Sequence, residues 1–180
     1  MPKIQIFYDY ECPFCKGGYK TLLELLPEYP DIDVEWRPIE SHPRPENHPP
    51  HTDLCIEAFY IARELDADMD DFHVRMFKAA ASERQNVERP EVLCEILNGL
   101  MLSKNHGVLD IAEFRRILDS GKYTPKVEEN NDLAYGKEGV WFVPAFRAHT
   151  PLHKIKLDAK GGIGVSKKEL KDFLDKVYSC

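Results

Sequence analysis

Ile4, Ile6 and Tyr8 alternate with Gln5 and Phe7 in a short apolar run, the pattern of a largely buried β-strand. From Pro13 to Leu26 the apolar residues Phe14, Leu22, Leu23, Leu25 and Leu26 predict a helix, its first turns weakened by Gly17 and Gly18 and its end set by the "PEYP" that follows. Ile32, Val34 and Trp36 then alternate with Asp33, Glu35 and Arg37, a period of two that predicts a second strand parallel to the first. The chain therefore opens with a βαβ unit. Pro38, Pro43, Pro45, Pro49 and Pro50 follow in close succession and restrict the backbone to a stiff, extended loop, a natural module boundary.

From Thr52 to about Gly139 the apolar period is that of helices. Leu54, Ala58, Ile61, Ala62 and Leu65 form one stripe, and Phe72, Met76, Phe77 and Ala80 a second. Leu93, Ile96, Leu97 and Leu100 form a third opened by Pro90, and Phe114, Ile117 and Leu118 a fourth. Thr124 with Pro125 is expected to cap a fifth helix. Strand patterns return at "VWFVPAF", Val140 to Phe146, and at His153 to Leu157, with a glycine turn at Gly161, Gly162 and Gly164. A last helix is expected after Ser166, which has capping-box spacing to Glu169 and an apolar face of Leu170, Phe173, Leu174 and Val177. The pattern predicts an α/β protein with a mixed sheet, built as βαβ, an inserted all-helical module, then ββα. The expected division assigns 1–50 and 140–180 to the sheet domain and 51–139 to the helical module.

The 180 residues, 43% of them hydrophobic, suffice for one compact core with an insertion. Twenty-four Lys and Arg against 31 Asp and Glu give a net charge of -7, and no basic stripe offers the phosphate neutralisation that nucleic-acid binding needs. No apolar run is long enough to span a bilayer, and the N-terminus lacks the features of a secretory signal, so a cytoplasmic location and no membrane partner are expected.

In that reducing compartment five cysteines are not expected to form a permanent disulfide framework. Two of them form a close pair, Cys12 and Cys15 in "YDYECPFCKGGY". A structural zinc site commonly draws four ligands from two such pairs, and Cys55, Cys94 and Cys180 supply no second one. A redox role needs a thiolate, and a helix N-terminus at Cys12 supplies unpaired N–H groups and a favourable dipole. Cys15, one turn on, is spaced to attack a mixed disulfide at Cys12 and resolve it. Pro13 suits the first helical turn, and Phe14 lies in the dipeptide that tunes the stability of thiolate relative to disulfide.

Strand, "CPFC", helix and strand, with a later strand pair and final helix, resemble the thioredoxin superfamily. The helical insertion and "DSGKYTPKVEENNDLAYGKEGVWFVPAF" resemble its DsbA-like branch, related to the 2-hydroxychromene-2-carboxylate isomerases. The resemblance implies a thiol-disulfide oxidoreductase in which Cys12 attacks, Cys15 resolves, and Pro144 is a cis-proline facing them. Pro13, Phe14, Val143 and Pro144 would line the substrate surface, with Val143 offering backbone groups to an extended segment. Substrates would be proteins or small molecules carrying thiols or disulfides. Glutathione is a candidate electron partner, and no metal or organic cofactor is required. One departure concerns protons: where thioredoxin has a buried acid six residues before the first cysteine, this chain has Ile6. Asp9 and Glu11 lie nearer and are alternatives for that role, although acids beside a strand end are expected to be solvated and a negative charge there would raise the Cys12 pKa.

His48, His51 and Cys55, with His42 upstream, have spacings compatible with a metal, although the prolines around them favour a surface loop bordering the substrate groove and Cys55 fits an apolar stripe. Cys94 reads as packing and Cys180 as a terminal thiol. A rival reading is a glutathione-dependent isomerase or transferase of the same fold. Another is a non-enzymatic binding module.

Overall fold

Strand β1 (Lys3–Tyr8) leads into helix α1 (Pro13–Leu25) and then strand β2 (Asp33–Pro38), which pairs parallel to β1 with Ile4 opposite Val34 and Ile6 opposite Trp36. The computed structural model describes residues 2–104, 106–151 and 153–179. Residues 39–52 form neither helix nor strand, as their prolines dictate. Among the described residues five α-helices follow: α2 (Asp53–Glu64), α3 (Met69–Phe77), α4 (Pro90–Leu97), α5 (Ile111–Asp119) and α6 (Thr124–Asn131). Helices α3 and α6 each run on into a wider π-helical turn, Lys78–Ser82 and Asp132–Lys137. Strands β3 (Ala145–His149) and β4 (Lys154–Asp158) then complete a mixed sheet of order β2-β1-β3-β4, with β3 antiparallel to both neighbours. Helix α7 (Lys167–Tyr178) closes the chain behind the expected capping box, Ser166 and Glu169 each bonding the other's backbone N–H.

Two local expectations are corrected. The strand predicted from Val140 begins only at Ala145, opposite Phe7: Pro144 has no N–H for the ladder, and the preceding residues bend with Trp141 and Phe142 exposed. Thr124 does not cap α6, since it is already the first helical residue and its hydroxyl donates instead to Glu57 Oε1 at 3.1 Å.

One hydrophobic cluster joins the sheet to the helices, with Ile4, Ile6, Tyr8 and Tyr10 from the N-terminal unit and Phe59, Phe72, Met76 and Phe77 from α2 and α3. Aromatic rings stitch it: Tyr10 meets Phe77 with centroids 5.0 Å apart, and Trp36 meets His73 at 4.9 Å. The C-terminal helix joins through Phe173, 5.9 Å from Phe146 of β3. Arg147, which no pattern singles out, is fully buried and survives there because Asp158 Oδ1 lies 2.6 Å from its Nη2 and the Glu138 carbonyl accepts from its Nε.

Candidate active site

Helix α1 begins at the end of β1 because Cys12 is its N-cap in extended conformation and Pro13 is its first residue. The Cys15 N–H donates to the Cys12 sulfur at 3.3 Å, and the Cys12 carbonyl accepts from the N–H groups of Cys15 and Lys16. Hydrogen bonding from Cys15 lowers the Cys12 thiol pKa, and the backbone at Cys15 and Phe14 acts in the same direction; burial opposes the shift without reversing it. Cys15 is the opposite case. Only 1% exposed, it is pushed well above the ordinary thiol range by burial first and by the adjacent Cys12 second. One sulfur is half-exposed and acidified, the other hidden and held as a thiol. Both are free rather than bonded to each other.

A groove of about 400 Å3 opens over Cys12. Pro13 and Phe14 form one wall, the segment from Val140 to Val143 another, and the turn at Lys160–Gly162 a third. The Cys12 sulfhydryl points at the Val143 carbonyl oxygen, 3.8 Å away, and the Val143–Pro144 peptide bond is cis. Phe14 is 39% exposed and rests on Gly164, where an added Cβ would lie 3.0 Å from its ring. Pro144 itself is buried, and α1 approaches it closely at Gly18.

A family model described as the DSBA-like thioredoxin domain matches residues 3–146. The chain belongs to that family. Among curated proteins it is similar to the uncharacterized protein YwbO of Bacillus subtilis, 27% identical over 178 residues, covering 79% of this chain and 84% of the relative. Among solved structures it is similar to a probable DsbA oxidoreductase, SCO1869 of Streptomyces coelicolor, with a TM-score of 0.76 at 15% identity, covering 99% of this chain and 91% of the other. It is also similar to the cytosolic disulfide reductase DsbM of Pseudomonas aeruginosa, with a TM-score of 0.66 at 17% identity, covering 98% of this chain and 97% of that one. These likenesses concern the fold. No helix among the described residues is long and apolar enough to cross a membrane.

Within this DSBA-like domain the acids beside the cysteines differ from expectation. Asp9 and Glu11 are buried, not solvated, because the proline-rich loop folds over them. Asp9 anchors that loop, its Oδ2 accepting from Ser41 N–H at 2.6 Å and its Oδ1 from Glu11 N–H at 3.2 Å. Burial raises the Asp9 pKa against these bonds. The Glu11 carboxyl is pushed up to about 7 by burial and by the nearby Asp9, and its Oε2 has no hydrogen-bond partner.

The suggested metal set also rearranges. Cys55 is fully buried on α2, and His51 Nδ1 lies 3.1 Å from the His42 carbonyl oxygen, so these two do not join His48. His42 and His48 instead meet Glu11, and both histidines line the groove over Cys12. Cys94 is half-buried against the core, and Cys180 lies outside the described residues. Pattern reading missed Arg84 and Tyr135, which also line the groove. Arg84 has a left-handed backbone with φ of 53°, and Tyr135 donates its hydroxyl to the Glu40 carbonyl. No local period marks either residue; both reach the site through tertiary packing.

Proposed function

We propose that this DSBA-like protein is a thiol-disulfide oxidoreductase working through the Cys12–Cys15 dithiol. The observation that carries this reading is the asymmetry of the pair, an acidified sulfur at the mouth of an open groove, accepting the Cys15 backbone N–H, with a buried free thiol behind it. The Cys12 thiolate attacks a substrate disulfide, forming a Cys12–substrate mixed disulfide and expelling one substrate thiolate. Cys15, on losing its proton, attacks the Cys12 sulfur, so that a Cys12–Cys15 disulfide forms and the second substrate thiolate leaves. The substrate gains two electrons and the protein loses them; the reverse sequence oxidises a dithiol.

Pro13, Phe14 and Val143 form the substrate surface in this reading, with the buried Pro144 setting the backbone behind them and an extended peptide laid along the exposed segment before β3. Protein disulfides and small disulfides are both candidate substrates. The exchange uses no metal or organic cofactor. We assign the protein to the cytoplasm, with glutathione as electron donor and net flow toward substrate reduction or isomerisation. Support comes from the structural likeness to DsbM, described as a cytosolic disulfide reductase and also solved with GSH.

Insulin reduction in the presence of glutathione tests the assignment. Cys12→Ser should fall to the uncatalysed background, while Cys15→Ser should accumulate a covalent adduct with substrate that dithiothreitol releases. Turnover retained by Cys12→Ser would refute the mechanism. Glutathione-conjugate formation surviving loss of both cysteines would favour the isomerase or transferase chemistry instead.

A further inference from the structure

The loop that covers Asp9 also brings two imidazoles against the carboxylate that precedes the nucleophile. One ligand atom each from Glu11, His42 and His48 lies within 4.8 Å of the others, and His48 Nε2 is already 3.8 Å from Glu11 Oε1. Ligands at 2.0–2.2 Å around a tetrahedral ion stand about 3.4 Å apart, so a small closing motion of the loop suffices.

Two further features point to a ligand. Glu11 is only 6% exposed, yet its Oε2 is buried without a hydrogen-bond partner, an arrangement that costs free energy unless something occupies that side. His42 Nδ1 lies 3.0 Å from Glu46 Oε2, the outer carboxylate that orients a metal-binding imidazole and leaves its Nε2 lone pair directed elsewhere. The His42 and His48 ring centroids are 3.9 Å apart, which places the two imidazole donors side by side. Arg84 shares the groove and its charge opposes a cation, so the ion must draw its affinity from direct coordination.

We propose that Glu11, His42 and His48 form a site for one divalent transition-metal ion, zinc or a cation of similar chemistry, in the wall of the thiol groove. Two imidazole nitrogens and one carboxylate oxygen suit zinc and leave a fourth position open. The ion ties the proline-rich loop to the turn before Cys12, stiffening one wall of the groove. It takes no part in the disulfide exchange.

A reduced CxxC pair binds zinc by itself, so the test removes it. In the full chain carrying Cys12→Ser and Cys15→Ser, calorimetric titration with zinc should show one ion per chain and an upward shift in melting temperature. Adding His42→Ala, His48→Ala or Glu11→Gln should each weaken binding at least about tenfold, whereas Cys55→Ala should leave it unchanged. Zinc binding that is absent, or that survives His42→Ala with His48→Ala, would overturn the site. Should the double-serine chain fail to fold, the same histidine pair is replaced in the thiol-intact chain, where one bound zinc per chain should be lost; an unchanged zinc content would reject the site. Because no readout involves disulfide turnover, this outcome is separate from that of the exchange mechanism.

Discussion

His73 carries the sharpest residue-scale consequence of the shared core. It is buried among Tyr8, Tyr10, Trp36 and Phe77, with Nδ1 3.0 Å from the Tyr10 hydroxyl and Nε2 unpartnered. Burial, assisted by the charge of Arg63, lowers its pKa to about 3, whereas an unfolded histidine titrates near 6.5. Between those values the unfolded chain binds a proton that the folded chain does not, so this contribution to stability is complete above about pH 6.5 and is lost as pH falls toward 3. Glu11 has the opposite sign. Its carboxyl is raised from 4.5 to about 7, so its contribution is present below about 4.5 and lost as pH rises to about 7. The two oppose each other in the whole-protein profile, which makes the difference between wild type and His73→Phe the informative quantity. Urea unfolding at pH 7 and pH 5 should show that difference moving by about 2 kcal/mol in favour of the variant at the lower pH; a difference independent of pH would remove the buried neutral histidine.

Helix α1 meets the Val143–Pro144 segment at Gly18, where an added Cβ would lie 2.9 Å from Pro144 Cγ, while the same atom at Gly17 meets nothing within 4 Å. Gly18→Ala should therefore push α1 away from Pro144, destabilise by about 1–3 kcal/mol and slow disulfide exchange. Gly17→Ala, on the open side of the same turn, should stabilise by up to about 1 kcal/mol as a helix-favouring change. Equal midpoints in urea for the two variants would contradict this packing. As a sequence the two glycines are alike, weak points in a helical pattern, and only the opposing proline separates them. The same limit runs through the site. The βαβ order, the helical block, the Ser166 box and the cysteine pair are legible because each depends on residues a few positions apart. Burial of Asp9 and Glu11 is not, since their cover is a loop about 30 residues on, folded back by a bond from Ser41. The late start of β3 follows from a competition between apolar character in "VWFVPAF" and a proline that cannot donate to the ladder, and the backbone wins. Thr124 has a capping residue's chemistry, but Glu57 of α2 takes its hydroxyl.

Across the whole molecule, the sequence division into a sheet domain and a helical module says nothing about how the two unfold, and the packing does. Tyr8, Tyr10 and Trp36 from the sheet half pack their rings against His73 and Phe77 of α3, inside a cluster that extends to Phe146 and Phe173 at the far end of the chain. Removing the helices would expose several large aromatic side chains on the sheet, each worth about 1.5–3 kcal/mol of burial, a large fraction of the net stability of a domain this size. The two segments are therefore expected to unfold together. Trp36 reports on the junction, since its ring lies within 6 Å of Tyr8, Tyr19 and His73, whereas Trp141 is 87% exposed and blind to it. In a Trp141→Phe background, Trp36 fluorescence and far-ultraviolet circular dichroism should give coincident urea transitions. A fluorescence transition preceding the loss of helix would mean that the junction opens first and that the helical module stands alone. Coincidence has a consequence for the chemistry. The groove draws its walls from both segments, with Arg84 and Tyr135 from the helical one and Phe14 and Val143 from the sheet, so anything that loosens the shared core also disassembles the surface presented to Cys12.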